Sequence, residues 1–205
     1  MANVTLYASK ASRSLAGYWI LEELRIPYDV VDVDIRSRKH KEPEYLAINP
    51  SGQVPAISCD GAIVSERPAI CAFLADRFGY GSIAPEIESP DRGAYLKWLV
   101  YSTSVIDPAI AIYASNVDKP LKHTTWGSAH NVVEVLAQAL KDRSWLLGDQ
   151  FTAADVAVGS VITMALFNDL LPENQALRDY NDRIMQRAAF QRAEKLTWPP
   201  EMFGS

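Results

Sequence analysis

The sequence predicts an α/β domain over residues 1–80, a linker over residues 81–90 and an all-helical domain over residues 91–205. Three observations support this. Strand-like and helix-like apolar patterns alternate in the first part, whereas only helical spacing recurs after Asp91. Between the two parts, Gly, Ser, Pro and Glu dominate residues 79–90 and the periodicity is lost, which is typical of a linker.

The first part predicts a β-α-β unit followed by a β-hairpin and a helix. The first two strands are expected to be parallel because a helix connects them. Asp60-Gly61 is a strong turn signal for the hairpin, and Ser65 is well placed as the N-cap of the next helix. The predicted strands cover residues 3–7, 30–35, 54–59 and 62–65, and the first helix covers residues 15–24.

The helical part contains one well-defined start signal. Thr152 can cap a helix, and Asp155, three residues later, can return the bond, while Phe151 and Val156 can form a hydrophobic staple. The pattern predicts a helix over residues 156–166. On its own Asp155 could also be a catalytic carboxylate, but an acid in this position before an apolar run indicates a folding element.

Composition and charge exclude several classes of function. The 205 residues are 48% apolar, enough for a sizeable core, and the net charge of −5 argues against nucleic acid or an anionic membrane as the main partner. No leader and no apolar run near the roughly 20 residues needed to cross a bilayer are seen, so a cytoplasmic location is expected. Cys59 and Cys71 lack metal or redox spacing, so no metal site is expected.

The most informative stretch covers residues 49–57, Asn-Pro-Ser-Gly-Gln-Val-Pro-Ala-Ile. It places a proline at the mouth of the hairpin, and the helix after the hairpin would present free N–H groups to an anion. These features suggest a peptide-binding site. A cis Val54-Pro55 bond would expose the valine backbone to an extended ligand, although local sequence alone favours the trans form.

Together with three further motifs, this stretch resembles the cytosolic glutathione transferases, of a bacterial-like, serine-type kind. The first of these is a helix that carries Glu66, Ala69-Ile70 and Phe73-Leu74. The other two are the capping box at residues 151–155 and the late segment at residues 180–190. The resemblance implies a thioredoxin-like first domain and an all-helical second domain. It also implies glutathione as co-substrate without a prosthetic group, a small hydrophobic electrophile as the other substrate, and a homodimer.

The resemblance implies that Val54-Pro55 is cis and that the Val54 backbone pairs with the cysteinyl part of glutathione. Relatives hold the γ-glutamyl end with a Glu-Ser pair at the helix start, where this chain has Glu66-Arg67. Arg67 is expected to grip the γ-glutamyl carboxylate in a bidentate contact, with a solvent-facing side chain as the alternative.

Other glutathione contacts are expected from basic and polar residues. His40 and Lys41 stand where related sequences contact the glycyl carboxylate, and Gln53 adjoins the proline. The alternative for His40 and Lys41 is a solvated basic loop. Arg13 is a further candidate in the turn after the first strand.

The resemblance places the thiol-activating group in residues 7–14, Tyr-Ala-Ser-Lys-Ala-Ser-Arg-Ser. Glutathione must react as the thiolate, which a hydroxyl donor can stabilise. Serine-type relatives resemble Ser-x-x-x-Arg here, and Ser9 is the only residue four positions before Arg13, which ranks Ser9 first. Ser12 is ranked second, with capping of the helix as its alternative role. Ser14 is expected within the helix. The turn has no cysteine, which counts against thiol-exchange members of the family.

The electrophile is expected to meet one helix of the second domain, with core packing as the alternative. The candidates are Trp98, Tyr101, Ser102, Ile106 and Tyr113, with a tail of Trp198, Pro199, Pro200 and Phe203. The preferred function is a glutathione transferase. The alternatives are a glutathione-dependent isomerase, ether-cleaving enzyme or dehalogenase on the same scaffold, and a noncatalytic binding or regulatory protein.

Overall fold

The computed structural model describes residues 2–115 and 126–198. By its contacts the chain divides into two compact units, Met1–Gly79 with Gln186–Ser205, and Tyr80–Met185. The described end of the chain thus packs with the first unit, whereas the sequence prediction placed it in the helical domain. The functions assigned to the domains stay predictions.

The first unit contains a four-stranded sheet in the order β2-β1-β3-β4. β1 runs parallel to β2 and antiparallel to β3, and β3 and β4 form the predicted hairpin. The thioredoxin-like fold is confirmed. The strands are β1 (Val4–Ala8), β2 (Asp29–Asp32), β3 (Ala56–Cys59) and β4 (Ala62–Ser65).

Helices account for most of the remaining described chain, and the second unit is helical as predicted. A 3₁₀ turn, Lys39–Lys41, precedes α2, and a π-helical segment, Ser102–Ile106, joins α4 to α5. The α-helices are α1 (Leu15–Leu24), α2 (Pro43–Leu46), α3 (Arg67–Phe78), α4 (Arg92–Tyr101), α5 (Asp107–Ala114), α6 (Ala129–Ala139), α7 (Ala153–Phe167), α8 (Gln175–Met185) and α9 (Ala188–Thr197).

Helix α9 joins the first unit because it packs on α1. The Trp19 and Phe190 rings meet edge to face with centroids 5.0 Å apart. Glu23 is largely buried and pairs with Arg187 at 2.6 Å, while it also accepts a hydrogen bond from the Trp19 indole at 2.8 Å. An aromatic pair and a satisfied carboxylate therefore fix the C-terminal helix to the first.

The π-helical segment between α4 and α5, which the helical pattern did not predict, contains two bonded serines and is followed by a proline. Pro108 lacks the N–H that an α-helix would direct to the carbonyl of Ser104. The hydroxyls of Ser102 and Ser104 donate to the carbonyls of Leu99 at 2.7 Å and Val100 at 2.8 Å. The carbonyls in the last turn of α4 thus gain side-chain donors where the π-helical segment begins.

Asp155 is the folding element that the sequence predicted. Its carboxylate is fully buried at the start of α7 and accepts hydrogen bonds from the Thr152 N–H at 2.9 Å and the Leu146 N–H at 3.0 Å. The Thr152 hydroxyl at 3.2 Å and the Tyr180 hydroxyl at 3.0 Å also donate to it. One side chain thus joins α7, α8 and the preceding loop of the second unit.

Residues 2–115 and 126–198 contain neither a membrane-spanning helix nor a cluster of metal-binding side chains. None of the helices there combines the length and the apolar character needed to span a bilayer. The same residues form no cluster of three His, Cys, Asp or Glu side chains suited to a metal ion.

Candidate functional site

The register of the sheet brings the candidate glutathione residues of the first unit to one edge. Tyr7 of β1 pairs with Ala56 of β3, which in turn pairs with Ser65 of β4. The end of β1, the start of β3 and the end of β4 are therefore neighbours. The residues immediately beyond these strand ends are Ser9, Val54, Pro55, Glu66 and Arg67.

The Val54-Pro55 peptide bond is cis, as the resemblance implied. Val54 lies just before β3, and its backbone N–H and C=O have no hydrogen-bond partner among the described residues. A peptide in extended conformation could pair with this backbone as a strand pairs with a sheet edge. Pro55 itself is buried against α1, where a Cβ on Gly17 would come within 3.3 Å of the Pro55 Cβ.

Two side chains that the sequence reasoning did not assign hold the peptide before Val54. The carbonyl oxygen of Gln53 accepts hydrogen bonds from the Tyr45 hydroxyl at 2.6 Å and from the Asn49 amide at 2.9 Å. Asn49 is only 3% exposed although it lies in a loop. Its position as the first residue of the stretch at residues 49–57 is the sequence signal that could have indicated this role. The Gln53 side chain is exposed.

His40 and Lys41 occupy the 3₁₀ turn beside this loop. Lys41 Nζ donates to the carbonyls of Ser51 at 3.2 Å and Gly52 at 2.9 Å, so it holds the loop before Val54. His40 Nδ1 is buried and has no hydrogen-bond partner among the described residues. Gly52 has φ +57°, and a Cβ there would lie 2.7 Å from the His40 carbonyl oxygen. Only glycine fits this close approach.

Glu66 and Arg67 begin α3, at the end of β4. Ser65 belongs to β4, so its predicted role as N-cap is wrong; Glu66 takes that position without a side-chain cap bond. Glu66 has φ 68° and ψ 122°, a backbone conformation rare for a residue with a Cβ. Arg67 is only 7% exposed, so the solvent-facing alternative is wrong.

The two serine candidates differ in accessibility. Ser9 is only 4% exposed, and its hydroxyl accepts a long hydrogen bond of 3.4 Å from the Ile35 N–H. Ser12 is half-buried in the turn before α1, and Ser14 takes the N-cap position once considered for Ser12. Arg13 is exposed in the same turn.

Helix α9 also contacts this turn. The Ala11 N–H donates to the carbonyl of Thr197 at 2.8 Å, and Ala11 has a positive φ of 48°. The last turn of the C-terminal helix therefore holds the backbone between the two serines. Sequence reasoning could not find this contact, because the two residues are far apart in the chain.

The electrophile candidates lie in the second unit, on α4, the π-helical segment and α5. Trp98, Ser102 and Ile106 are at most 2% exposed, which favours core packing for them. Tyr101 is half-buried and Tyr113 is 39% exposed. In the predicted aromatic tail, Trp198 is half-buried, whereas Pro199, Pro200 and Phe203 lie outside the described residues.

Comparison with known proteins identifies both parts of the chain. The family model described as Glutathione S-transferase, N-terminal domain, matches residues 14–77, and the one for the C-terminal domain matches residues 119–183. The chain is 28% identical over 163 residues to glutathione S-transferase GstA of Escherichia coli O157:H7, covering 78% of this chain and 81% of that protein.

Solved structures are also similar over nearly the whole chain. The ternary complex of BphK, a bacterial GST, has a TM-score of 0.78 and 26% identity, covering 94% of this chain and 98% of that one. A theta class glutathione S-transferase from Xanthomonas axonopodis pv. citri, solved with glutathione bound, has a TM-score of 0.76 and 25% identity, covering 94% and 97%.

The two family models together match more than half of the chain, in the order in which the fold places the two parts. The protein belongs to the glutathione S-transferase family.

Proposed function

We propose that this protein is a glutathione transferase that binds glutathione at the sheet edge of the first unit and activates its thiol for attack on a small hydrophobic electrophile. The observation that carries the proposal is the unpaired backbone of Val54 beside a cis proline, next to a serine-rich turn and a helix start. Relatives named as glutathione transferases, one of them solved with glutathione bound, support it.

Glutathione is an extended peptide with two carboxylates, and the edge offers a complement to each part. The Val54 backbone would pair with the cysteinyl residue. Arg67, a largely buried cation at the first position of α3, would bind the γ-glutamyl carboxylate, and Glu66 the γ-glutamyl amine. His40 would bind the glycyl carboxylate with the exposed Gln53, while Lys41 fixes the loop.

The chemical task is to hold the sulfur as a thiolate. A thiol with a pKa of about 8.5 is only a few per cent ionised at pH 7. One hydrogen bond to the charged sulfur contributes about 1.5–3 kcal/mol, which lowers the pKa by about one to two units. The thiol proton passes to solvent, and the thiolate becomes a major species at neutral pH.

We assign the hydroxyl donor to Ser12 rather than to Ser9, which the sequence ranked first. A donor must reach a bound ligand, and Ser9 is only 4% exposed. Ser12 is half-buried and lies in the turn just before α1, whose N-terminal dipole also favours a negative charge. Ser9 remains the alternative that the test must distinguish.

We propose that the second unit supplies the binding site for the electrophile. Among the candidates of the second unit, Tyr101 and Tyr113 retain surface for a ligand, whereas Trp98, Ser102 and Ile106 are buried. These aromatic side chains suit an apolar or aromatic electrophile better than a charged one.

A homodimer is also proposed. Leu96 and Val100 lie one turn apart on α4 and are 45% and 62% exposed. Two large apolar side chains on one helix face are suited to an interface between copies of the chain. Sedimentation velocity would test this, and a monomer at micromolar concentration would contradict it.

The deciding experiment is an ultraviolet difference titration of glutathione bound to wild-type protein and to the Ser12→Ala and Ser9→Ala variants. We expect the thiol pKa in wild type to lie one to two units below that of free glutathione. Ser12→Ala should abolish most of this shift, and Ser9→Ala should keep it. The reverse pattern would move the role to Ser9, and binding without any shift would favour a noncatalytic protein.

A further inference from the structure

The turn between β1 and α1 contains a hydrogen-bonded cluster of serines. Ser12 Oγ lies 2.7 Å from the Ser9 carbonyl oxygen and 2.8 Å from Ser14 Oγ. The Ser14 N–H donates to Ser12 Oγ at 3.1 Å, and the Ser9 N–H donates to Ser14 Oγ at 3.1 Å. Ser14 is fully buried, so its hydroxyl cannot exchange these partners for water.

Counting protons fixes the direction of each bond. The Ser9 carbonyl can only accept, so the single hydroxyl proton of Ser12 donates to it. The proton in the bond between Ser12 and Ser14 must then come from the Ser14 hydroxyl. Ser12 Oγ thus accepts two hydrogen bonds from Ser14, one from its N–H and one from its O–H, while it donates one.

We infer that Ser14 is a positioning residue for thiol activation, acting through Ser12. This inference rests on the proposed role of Ser12 as the donor to the sulfur. Hydrogen bonds in a chain polarise one another, so the bonds that Ser12 accepts make its own proton a stronger donor. Ser14 Oγ also holds the Ser9 N–H, and with it one end of the turn.

Glutathione would exchange only one bond in this cluster. When the thiolate arrives, the Ser12 proton turns from the Ser9 carbonyl to the sulfur, while both bonds from Ser14 to Ser12 Oγ stay in place. The oxygen therefore keeps its position, and only the direction of its O–H changes. No covalent bond forms or breaks in this step, and no other reactant is needed.

The test compares thiol pKa values of bound glutathione in a double-mutant cycle of Ser14→Ala and Ser12→Ala. Because one bond in a chain strengthens the next by about 10–30%, Ser14→Ala should raise the thiol pKa by about 0.1–0.6 unit in the wild-type background. In the Ser12→Ala background it should change nothing, since its effect passes through Ser12. Glutathione affinity, governed by Val54 and α3, should change little.

A matched control separates this role from the loss of any buried serine hydroxyl. Ser160 in α7 of the second unit is 8% exposed and donates to the Ala157 carbonyl at 3.2 Å. Ser160→Ala should lower stability without moving the thiol pKa. If Ser14→Ala does not fold, Ser14→Gly also removes the hydroxyl without adding volume.

The possible outcomes distinguish a failure of the positioning role of Ser14 from a failure of the donor role of Ser12. A thiol pKa unchanged by Ser14→Ala but raised by Ser12→Ala would overturn the role of Ser14 and leave Ser12 as donor. An equal rise on Ser14→Ala in both backgrounds would show an effect independent of Ser12 and would also overturn it. A thiol pKa unchanged by Ser12→Ala would contradict the proposed donor, and the role of Ser14 with it.

Discussion

The backbone conformation of Glu66 predicts that a glycine at this position stabilises the fold, an unusual result for a glycine substitution. Its φ of 68° and ψ of 122° lie outside both the right-handed and the left-handed helical regions. A Cβ makes such a conformation unfavourable by about 1–3 kcal/mol, and glycine does not carry this cost. We therefore expect Glu66→Gly to stabilise the fold, although glycine usually destabilises.

The magnitude follows from two opposing effects. Removing the strain contributes about 1–3 kcal/mol, while the greater freedom of glycine in the unfolded chain removes about 0.4–1 kcal/mol. Glu66→Ala keeps the Cβ and hence the strain. Glu66→Gly should therefore be more stable than Glu66→Ala by about 1–2 kcal/mol, and both variants should lose the same contact to the glutathione amine.

Urea denaturation followed by circular dichroism measures this difference, provided that both variants share one m-value. Glu66→Asn is the matched control, because asparagine caps helices as well as glycine but is suited to the left-handed region rather than to a ψ of 122°. Glu66→Asn should remain less stable than Glu66→Gly. A glycine variant no more stable than the alanine variant would refute the strain at Glu66.

Three further predictions concern single side chains. Burial raises the pKa of Asp155 to about 6 from 3.8. The folded state therefore binds the carboxyl proton more tightly than the unfolded chain does. The resulting stabilisation of the fold is fully present below pH 3.8 and is lost as pH rises through 6. Wild type should thus gain up to about 3 kcal/mol over Asp155→Asn between pH 7 and pH 4 in thermal or urea unfolding, and no gain would contradict this. Asn49→Ala should lower the free energy of unfolding by about 0.5–1.5 kcal/mol, because the Gln53 carbonyl loses one of its two donors and keeps the Tyr45 hydroxyl. It should also weaken glutathione binding in calorimetry, and unchanged affinity would argue against a role in positioning Val54. Arg67→Ala should weaken glutathione binding by roughly 10- to 100-fold and Arg67→Lys should restore only part of it, since lysine cannot form a bidentate contact; wild-type affinity in Arg67→Ala would oppose the contact.

Local signals were sufficient to predict most of the fold. The Asp60-Gly61 turn and the box at Thr152 and Asp155 both act within a few residues, and the structure confirms the hairpin and the helix start. Ser65 was misassigned because cap preference is local, whereas the pairing of Ser65 with Ala56 depends on the sheet. Sheet pairing extends β4 by that residue and delays α3.

The residues of the candidate site could be predicted from the sequence, but their burial and their contacts with distant parts of the chain could not. The motif pointed to Val54 and Pro55, and the resemblance supplied the cis bond. Which serine faces a ligand depends on the burial of Ser9, and the sequence does not encode that burial locally. The bond from Ala11 to Thr197 likewise requires α9 to return to α1.

The most direct test of the central claim is a crystal structure of the protein with glutathione bound. We expect the cysteinyl N–H and C=O of glutathione to pair with the Val54 backbone and its sulfur to lie within hydrogen-bond distance of Ser12 Oγ. Glutathione bound away from Val54, or its sulfur turned from both Ser12 and the start of α1, would contradict the proposed site.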